Sequence, residues 1–319
     1  MMKPSMRARV HHVLSDFAVD NIRRRAQKRL VNEMERLRPG SFPFISADTF
    51  RALSDAVVEN EEITFRRQLH PRSIIYFDLA SLKGNESGWR SSKSLSLLAD
   101  AIEVQSRKPI VIMHNGDWLP QKDVLEKLQS EAFHVFSSNV LEETPQLTAL
   151  PVGLENAYRN ANGTLEDFLK ARDSQIASER DIRIFSRFKI QNNPEIRRPL
   201  AERLAASRFG WDDQRLGPHE YRSLVLSSKF VLSPPGNGID CHRTWEAIYL
   251  GAVPVTLSDF SPHGLFSGMP VLVIDSFEEI LVMSDSEIDQ LFDQVVNFNI
   301  EKCYMPYWVS RIRDMAHHD

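Results

Sequence analysis

Arg243 and Glu246 stand three residues apart, and His242 and Glu246 four apart, within KFVLSPPGNGIDCHRTWEAIYLGAVPVTL at 229–257. At those spacings they are neighbours on one side of a helix. The helix would begin just after Pro234, Pro235, Gly236, Asn237 and Gly238. A glycine turn opening onto a helix N-terminus offers backbone N–H groups and the positive dipole end to a phosphate. Arg243 adds a fixed charge with fork geometry. Glu246, one turn deeper, could accept hydrogen bonds from a ribose diol. Phosphate, arginine and diol acceptor in that order describe a nucleotide-diphosphate site. The plainer alternative is a common strand–turn–helix with an Arg243–Glu246 surface pair.

The elements that would carry these residues are legible around them. Phe230, Val231 and Leu232 form a short apolar run suited to a strand buried on both faces. The prolines and glycines end it. Asp240 is suited to cap the helix, which would run to about Leu250 with Gly251 as its C-terminal cap. Cys241, Trp245, Ile248 and Tyr249 fall on one stripe and should pack inward. Val253 to Leu257 resume a β-branched run.

Three further groups could do chemistry. Arg187 and Lys189 alternate along IRIFSRFKI (182–190) and would share one face of a strand, where two cations could stabilise a leaving diphosphate. Asn192, Asn193 and Arg197 follow them. His114, Asn115 and Asp117 end the apolar run PIVIMHNGD (109–117), at the carboxyl end of a strand, where open α/β sheets bind ligands. Asp117 is a candidate general base for an acceptor hydroxyl; as a turn residue it could instead cap the helix after Pro120. Glu155, in the run PVGLEN, competes for that role and could equally pair with Arg159; Asp240 is a third candidate. There is no D-x-D pattern for a divalent ion, no zinc spacing and no G-x-x-x-x-G-K-[ST] loop, so neither a metal nor a P-loop is expected.

The segment SKFVLSPPGNGIDCHRTWEAIYLGAVPV resembles the donor-binding motif of exostosin-like glycosyltransferases, in particular bacterial and viral relatives with the pattern S-P-x-G-N-G-x-D-x-H-R-x-W-E-A-x-x-x-G-x-x-P. PVGLENAYRN (151–160) resembles their P-I-G-L-E-N element, and IVIMHNGD (110–117) their H-N-x-D element, in the expected order. The resemblance implies a GT-B fold, two Rossmann-like doubly wound domains of mostly parallel sheet facing a cleft. It implies a donor site of Ser233, Gly236, Asn237, Gly238, His242, Arg243 and Glu246, which the Arg187 and Lys189 pair read from the strand pattern would join. His114 and Asn115 would lie on the acceptor side, with Asp117 or Glu155 catalytic. The implied reaction is an inverting, metal-independent transfer from a nucleotide-diphosphate sugar to a glycan or lipid-linked hydroxyl, in surface polysaccharide assembly. The donor would be a substrate; no cofactor is implied.

The 319 residues suffice for two domains with large cores, and a 26% charged content is that of a globular chain. A net charge of −4 gives no field that would attract nucleic acid. Two cysteines, Cys241 and Cys303, argue against a disulfide framework and for a reducing compartment. No run is long and apolar enough to span a membrane, and the N-terminus has no signal-like core, so a cytoplasmic protein is expected. This departs from the membrane-anchored animal exostosins. Residues 1–38 hold ten Lys/Arg against four Asp/Glu, with apolar residues near helical spacing. Such a helix packs on its own domain or touches an anionic membrane peripherally.

Strand-like and helix-like runs alternate throughout, the mark of α/β layers. Strands are expected at 73–81, 109–117, 132–139, 147–153, 182–190 and near 270–274; helices at 46–59, 94–104, 122–132, 194–207, 217–227, 276–282 and 285–298. Residues 160–180 read as a polar connection. The expected division is an N-terminal acceptor-side domain (1–165), a C-terminal nucleotide-sugar domain (166–300), and an aromatic-rich end (301–319) that could cross back. A rival reading is a non-catalytic module of the same fold that binds a nucleotide or glycan. Such a module would be expected to lack Asp117 or Glu155, and both are present.

Overall fold

The computed structural model describes residues 40–70, 72–82, 88–156, 165–174, 180–211, 214, 216–262, 264–296 and 299–317. The basic stretch 1–38 lies outside the described residues. Among the described residues, no helix is long and apolar enough to cross a membrane.

The first half is a six-stranded sheet. Ser46 caps helix α1 (Ala47–Leu53) through its hydroxyl. The sequence pattern extends that helix to Glu59, but the chain turns to strand at Ala56. Val57 and Val58 favour an extended backbone, and Asn60 and Glu61, with φ of 51° and 59°, form a two-residue hairpin turn. Strands β1 (Ala56–Glu59) and β2 (Glu62–Phe65) are therefore antiparallel. The rest is parallel: β3 (Ile74–Asp78), β4 (Ile110–His114), β5 (His134–Ser137) and β6 (Leu147–Ala149), in the order β2-β1-β3-β4-β5-β6. Helix α2 (Lys93–Glu103) joins β3 to β4, and α3 (Lys122–Glu131) joins β4 to β5. Strands β3, β4, β5 and β6 are buried along their whole length, as the apolar runs require.

The second half opens with α4 (Leu165–Ser174), which lies inside the stretch read as a polar connection; its Phe168 and Leu169 are buried, and it packs on α6 (Pro218–Leu226). The sheet that follows is all parallel, in the order β10-β9-β8-β7: β7 (Ile182–Phe185), β8 (Ser228–Leu232), β9 (Val253–Leu257) and β10 (Leu272–Ile274). Helices α5 (Pro194–Ala206) and α6 lie between β7 and β8, and α7 (His242–Tyr249) between β8 and β9. Helices α8 (Glu278–Leu281), α9 (Asp285–Val295) and α10 (Met305–His317) complete the chain. The whole is a mixed α/β protein with mostly parallel sheets, compatible with a Rossmann-like fold. In both sheets the parallel strands follow chain order without reversal. That order is the one seen among the described residues.

The halves share one apolar core. Trp245 and Tyr249 of α7 belong to the cluster that also holds the strands of the first sheet. Tyr249 stacks on Phe44 at 4.3 Å between ring centroids. Its hydroxyl accepts from Ile45 N (3.2 Å) and donates to Cys303 O (2.9 Å). At the start of α10, Met305 N donates to Pro43 O at 2.9 Å, and further along Arg311 Nη2 reaches Thr148 Oγ1 at 3.4 Å. The second sheet has a separate core on its own helices, where Phe230 meets the edge of Phe292. Because Trp245 is fully buried in the shared cluster, Trp245→Ala should cost about 3–5 kcal/mol. Urea unfolding followed by fluorescence and by far-UV dichroism should remain one coincident transition in the wild type; two separated transitions would contradict the shared core.

Candidate functional site at the joined sheet edges

The register of the first sheet sets Asp78 beside His114 and Ser137 beside both Met113 and Ala149, so the strands end at one level. At that edge the chain turns through left-handed residues, Asn115 (φ 67°) after β4 and Asn139 (φ 56°) two residues beyond β5. Asparagine tolerates this conformation best among non-glycine residues. The Asn115 amide donates to both carboxylate oxygens of buried Asp78 (3.1 and 3.2 Å), and its oxygen accepts from Asn156 at 2.8 Å. His114 is also buried. Its Nδ1 accepts from Asn115 N (2.8 Å) and its Nε2 bonds Pro151 O (2.9 Å), so the ring is neutral with its proton on Nε2. Burial pushes its pKa down to about 4, partly opposed by the Pro151 bond, with His242 pushing it lower. His114 and Asn115, expected to face an acceptor, instead hold the edge of the sheet together.

The segment between β8 and α7 docks against this edge. Asp240 is not the cap of α7; Cys241 holds that position, and no side chain caps the helix. The buried Asp240 Oδ2 accepts from Val152 N and from Trp245 Nε1, both at 2.8 Å, which ties the loop after β6 to the start of α7. Its Oδ1 is buried without a hydrogen-bond partner. Burial pushes this carboxyl up to about 6, against the pull of its two donors. His242 Nδ1 bonds Gly153 O at 2.8 Å, and Asn237 Nδ2 donates to Asp117 Oδ2 at 3.1 Å. Gly238 is required by packing: a Cβ there would stand 2.7 Å from Asn139 Oδ1. The space the sequence reading reserved for a phosphate at Gly238 is occupied by the Asn139 amide. Gly236 N donates to Gly238 O at 3.1 Å, so that N–H is also spent inside the loop. Ser233 is buried and bonds Thr244 Oγ1 at 2.8 Å.

Behind the loop lies positive charge. Arg197 is buried and donates to three carbonyls, Pro235 O (2.9 Å), Pro234 O (3.1 Å) and Lys189 O (2.9 Å). Its pKa falls to about 10, chiefly through burial and then through the nearby Arg243. Asn193 caps α5 and donates to Gly236 O at 3.2 Å. Arg243 is half-buried, with its Nε lacking a partner, and it hydrogen-bonds the hydroxyl of Tyr221. That hydroxyl donates to Glu246 Oε2 at 2.8 Å. Burial, then the Glu246 charge, raises the Tyr221 pKa well above its ordinary value. Glu246 is fully buried, which corrects the expectation of a carboxylate open to a ribose: in this conformation it faces the protein.

The structure thus brings together Asp117 with Asn237, His242 with Gly153, and Arg243 with Tyr221 and Glu246. Glu155 is half-buried at the rim. Strand β7 stops at Phe185, so Arg187 (half-buried) and Lys189 (exposed) lie in the loop beyond it, and their expected common strand face does not exist. Tyr221, Asn139 and the clamping role of Arg197 were not foreseen. Asn193-Pro194, an N-cap followed by a first-turn proline, was the one local signal for the Arg197 helix. No family model matches the chain, and no curated protein matches it.

Two consequences can be measured. His114 and His134 both have pKa values lowered to about 4, His134 by burial and then by Arg311. Between pH 6.5 and 4 the unfolded chain therefore binds more protons at these rings, and stability falls as pH falls. Asp240, raised to about 6, has the opposite sign below pH 6. The urea midpoint should drop on acidification from pH 7 to 5, and Asp240→Asn should steepen the drop below pH 6; a flat profile would contradict buried neutral histidines. Separately, Gly238→Ala should cost about 1–3 kcal/mol through overpacking, and Asn139→Gly in the same chain should recover most of that loss in a double-mutant cycle.

Proposed function

We propose that this chain is a glycosyltransferase of the exostosin-like, GT-B type, transferring a sugar from a nucleotide-diphosphate donor to a hydroxyl of a glycan or lipid-linked acceptor. The observation that carries the reading is the proximity of two guanidiniums, Arg197 and Arg243, behind the loop where the carboxyl edges of both sheets meet. Arg243 raises the cost of the Arg197 charge, and an anionic diphosphate would relieve that cost. The uncapped start of α7 supplies further N–H groups to the same anion. The fit of the loop to the motif quoted from its sequence supports the same assignment.

In this reading Arg243 and the α7 N-terminus hold the diphosphate, and Lys189 and Arg187 approach it from the loop after β7. Glu246 orients Tyr221 and Arg243 rather than touching the ribose. Asp117 takes the proton of the acceptor hydroxyl as its oxygen attacks the anomeric carbon. The bond from that carbon to the diphosphate oxygen breaks, and its electrons leave with the diphosphate. No metal is required for charge balance when two arginines face the leaving group.

The test is release of free nucleoside diphosphate from a panel of nucleotide sugars, with nucleotide affinity measured by calorimetry. Arg243→Ala should reduce turnover by about 10²–10³-fold, as for loss of one transition-state charge donor, and should weaken nucleotide binding. Asp117→Asn should reduce turnover by about 10²–10⁴-fold and leave nucleotide affinity unchanged. Nucleotide binding without release from any donor would favour a binding module; no nucleotide binding at all would sink the reading.

A further inference from the structure

The loop that carries Asp117 is held far more firmly than an exposed turn needs. Asn115 is left-handed and clamped by Asp78 and Asn156, and its carbonyl accepts from Ala80 N at 3.1 Å. Asn156 is fixed in turn by Asp48 N at 3.1 Å. Gly116 is pressed against the turn after β3: a Cβ there would meet Leu79 Cβ at 2.6 Å. The Gly116 carbonyl accepts the amide of Asn139, and Asp117 accepts that of Asn237. What this mount presents to solvent is apolar. Trp118 is 54% exposed and Leu119 48% exposed, before the chain is buried again at Pro120. Among the large apolar side chains exposed in the described residues, only these two are adjacent, and only they adjoin a candidate site residue. Ordering a backbone and leaving an indole in water both cost free energy, and a ligand that covers the indole would offset the second cost.

We propose that Trp118 is the stacking platform for the acceptor, and that the acceptor presents a pyranose ring to it. This rests on the glycosyltransferase reading and names the substrate class of its open side. A pyranose has one apolar face of C–H groups and a rim of hydroxyls. An aromatic plane covers the first, and a carboxylate one residue away binds the second. Asp117 can then meet a ring hydroxyl while Trp118 holds the ring, with Asn237 joining that carboxylate to the loop on the donor side. Proximity of the hydroxyl to its base is thereby set by stacking, not by the base alone. A lipid tail would cover the indole but would bring no hydroxyl to the carboxylate.

The test is saturation-transfer difference NMR on the full chain with the methyl glycosides of glucose, galactose, mannose, N-acetylglucosamine and glucuronic acid, each with and without UDP or GDP. At least one glycoside should receive saturation at its ring C–H protons. Trp118→Ala should weaken that glycoside at least about tenfold, the factor for losing one aromatic stacking contact, and Trp118→Phe should restore most of it. Both variants should melt as the wild type does, since the side chain is exposed. Nucleotide binding with no saturation of any glycoside, or equal saturation in Trp118→Ala, would overturn the platform and leave the donor reading standing. Glycoside binding through Trp118 without any nucleotide binding would leave the platform and remove the transferase.

Discussion

One buried carboxylate joins the two halves of this molecule. Asp240 takes a hydrogen bond from Val152 in the first half and from the Trp245 indole in the second, with both contacts at 2.8 Å. A buried anion is costly, and an oxygen left without a partner adds to that cost. Such a contact persists only if its surroundings are fixed by other means. They are: Tyr249 stacks on Phe44, His242 is held by Gly153, and the Asn139 amide fills the space left by Gly238. Each contact fixes the start of α7 against the carboxyl edge of the first sheet, so the electrostatic link and the apolar packing determine the same geometry.

That geometry separates charge. On the side of the first sheet the His114 ring is buried and neutral, and the carboxylates of Asp78 and Asp240 are engaged by N–H donors. On the side of the second sheet, Arg197 gives three hydrogen bonds to backbone carbonyls and stands close to Arg243. Carbonyl dipoles solvate the guanidinium of Arg197 without cancelling its charge. The junction therefore sets a positive field on one flank of the loop 233–241 and a polar, acid-bearing rim on the other. A field of this kind acts on an anion before contact, and low-dielectric surroundings strengthen it.

The strands were legible from their apolar runs, because a parallel strand buried on both faces needs an unbroken one. Their ends were less so. IRIFSRFKI continues the alternation past Phe185, yet the strand stops there, since its one neighbour among the described residues, β8, pairs with it no further than Phe185↔Val231. The segment 46–59 divides into helix and strand at Ser54 because β3 offers a partner to Ala56–Val58, a fact about residues 75–77. Site roles failed for the same reason. Asp240 has the type and place of a helix cap, and only a partner 88 residues away makes it a bridge. Glu246 shares a helix face with Arg243, and only Tyr221, 25 residues earlier, shows that the face is buried. Local chemistry names the residues that can bond; the fold decides which partner reaches them first.

The burial of these residues also orders the site from inside to outside. Glu246, Ser233, Asp240 and Gly238 are buried, Arg243 and His242 are half-buried, and Asn237, Asp117, Trp118 and Lys189 are exposed. A ligand meets the last group first. Trp245 and Tyr249 of α7 pack inside the apolar core that the two halves share. Under the proposed reading a ligand enters along the rim where Asn237 meets Asp117, through a hydrogen bond that is exposed and 3.1 Å long. Releasing it frees an amide toward the cationic flank and a carboxylate toward the aromatic one. The two side chains that hold the rim closed are those that a donor and an acceptor would each need, so under the proposed reading binding on either side breaks the contact and prepares the other.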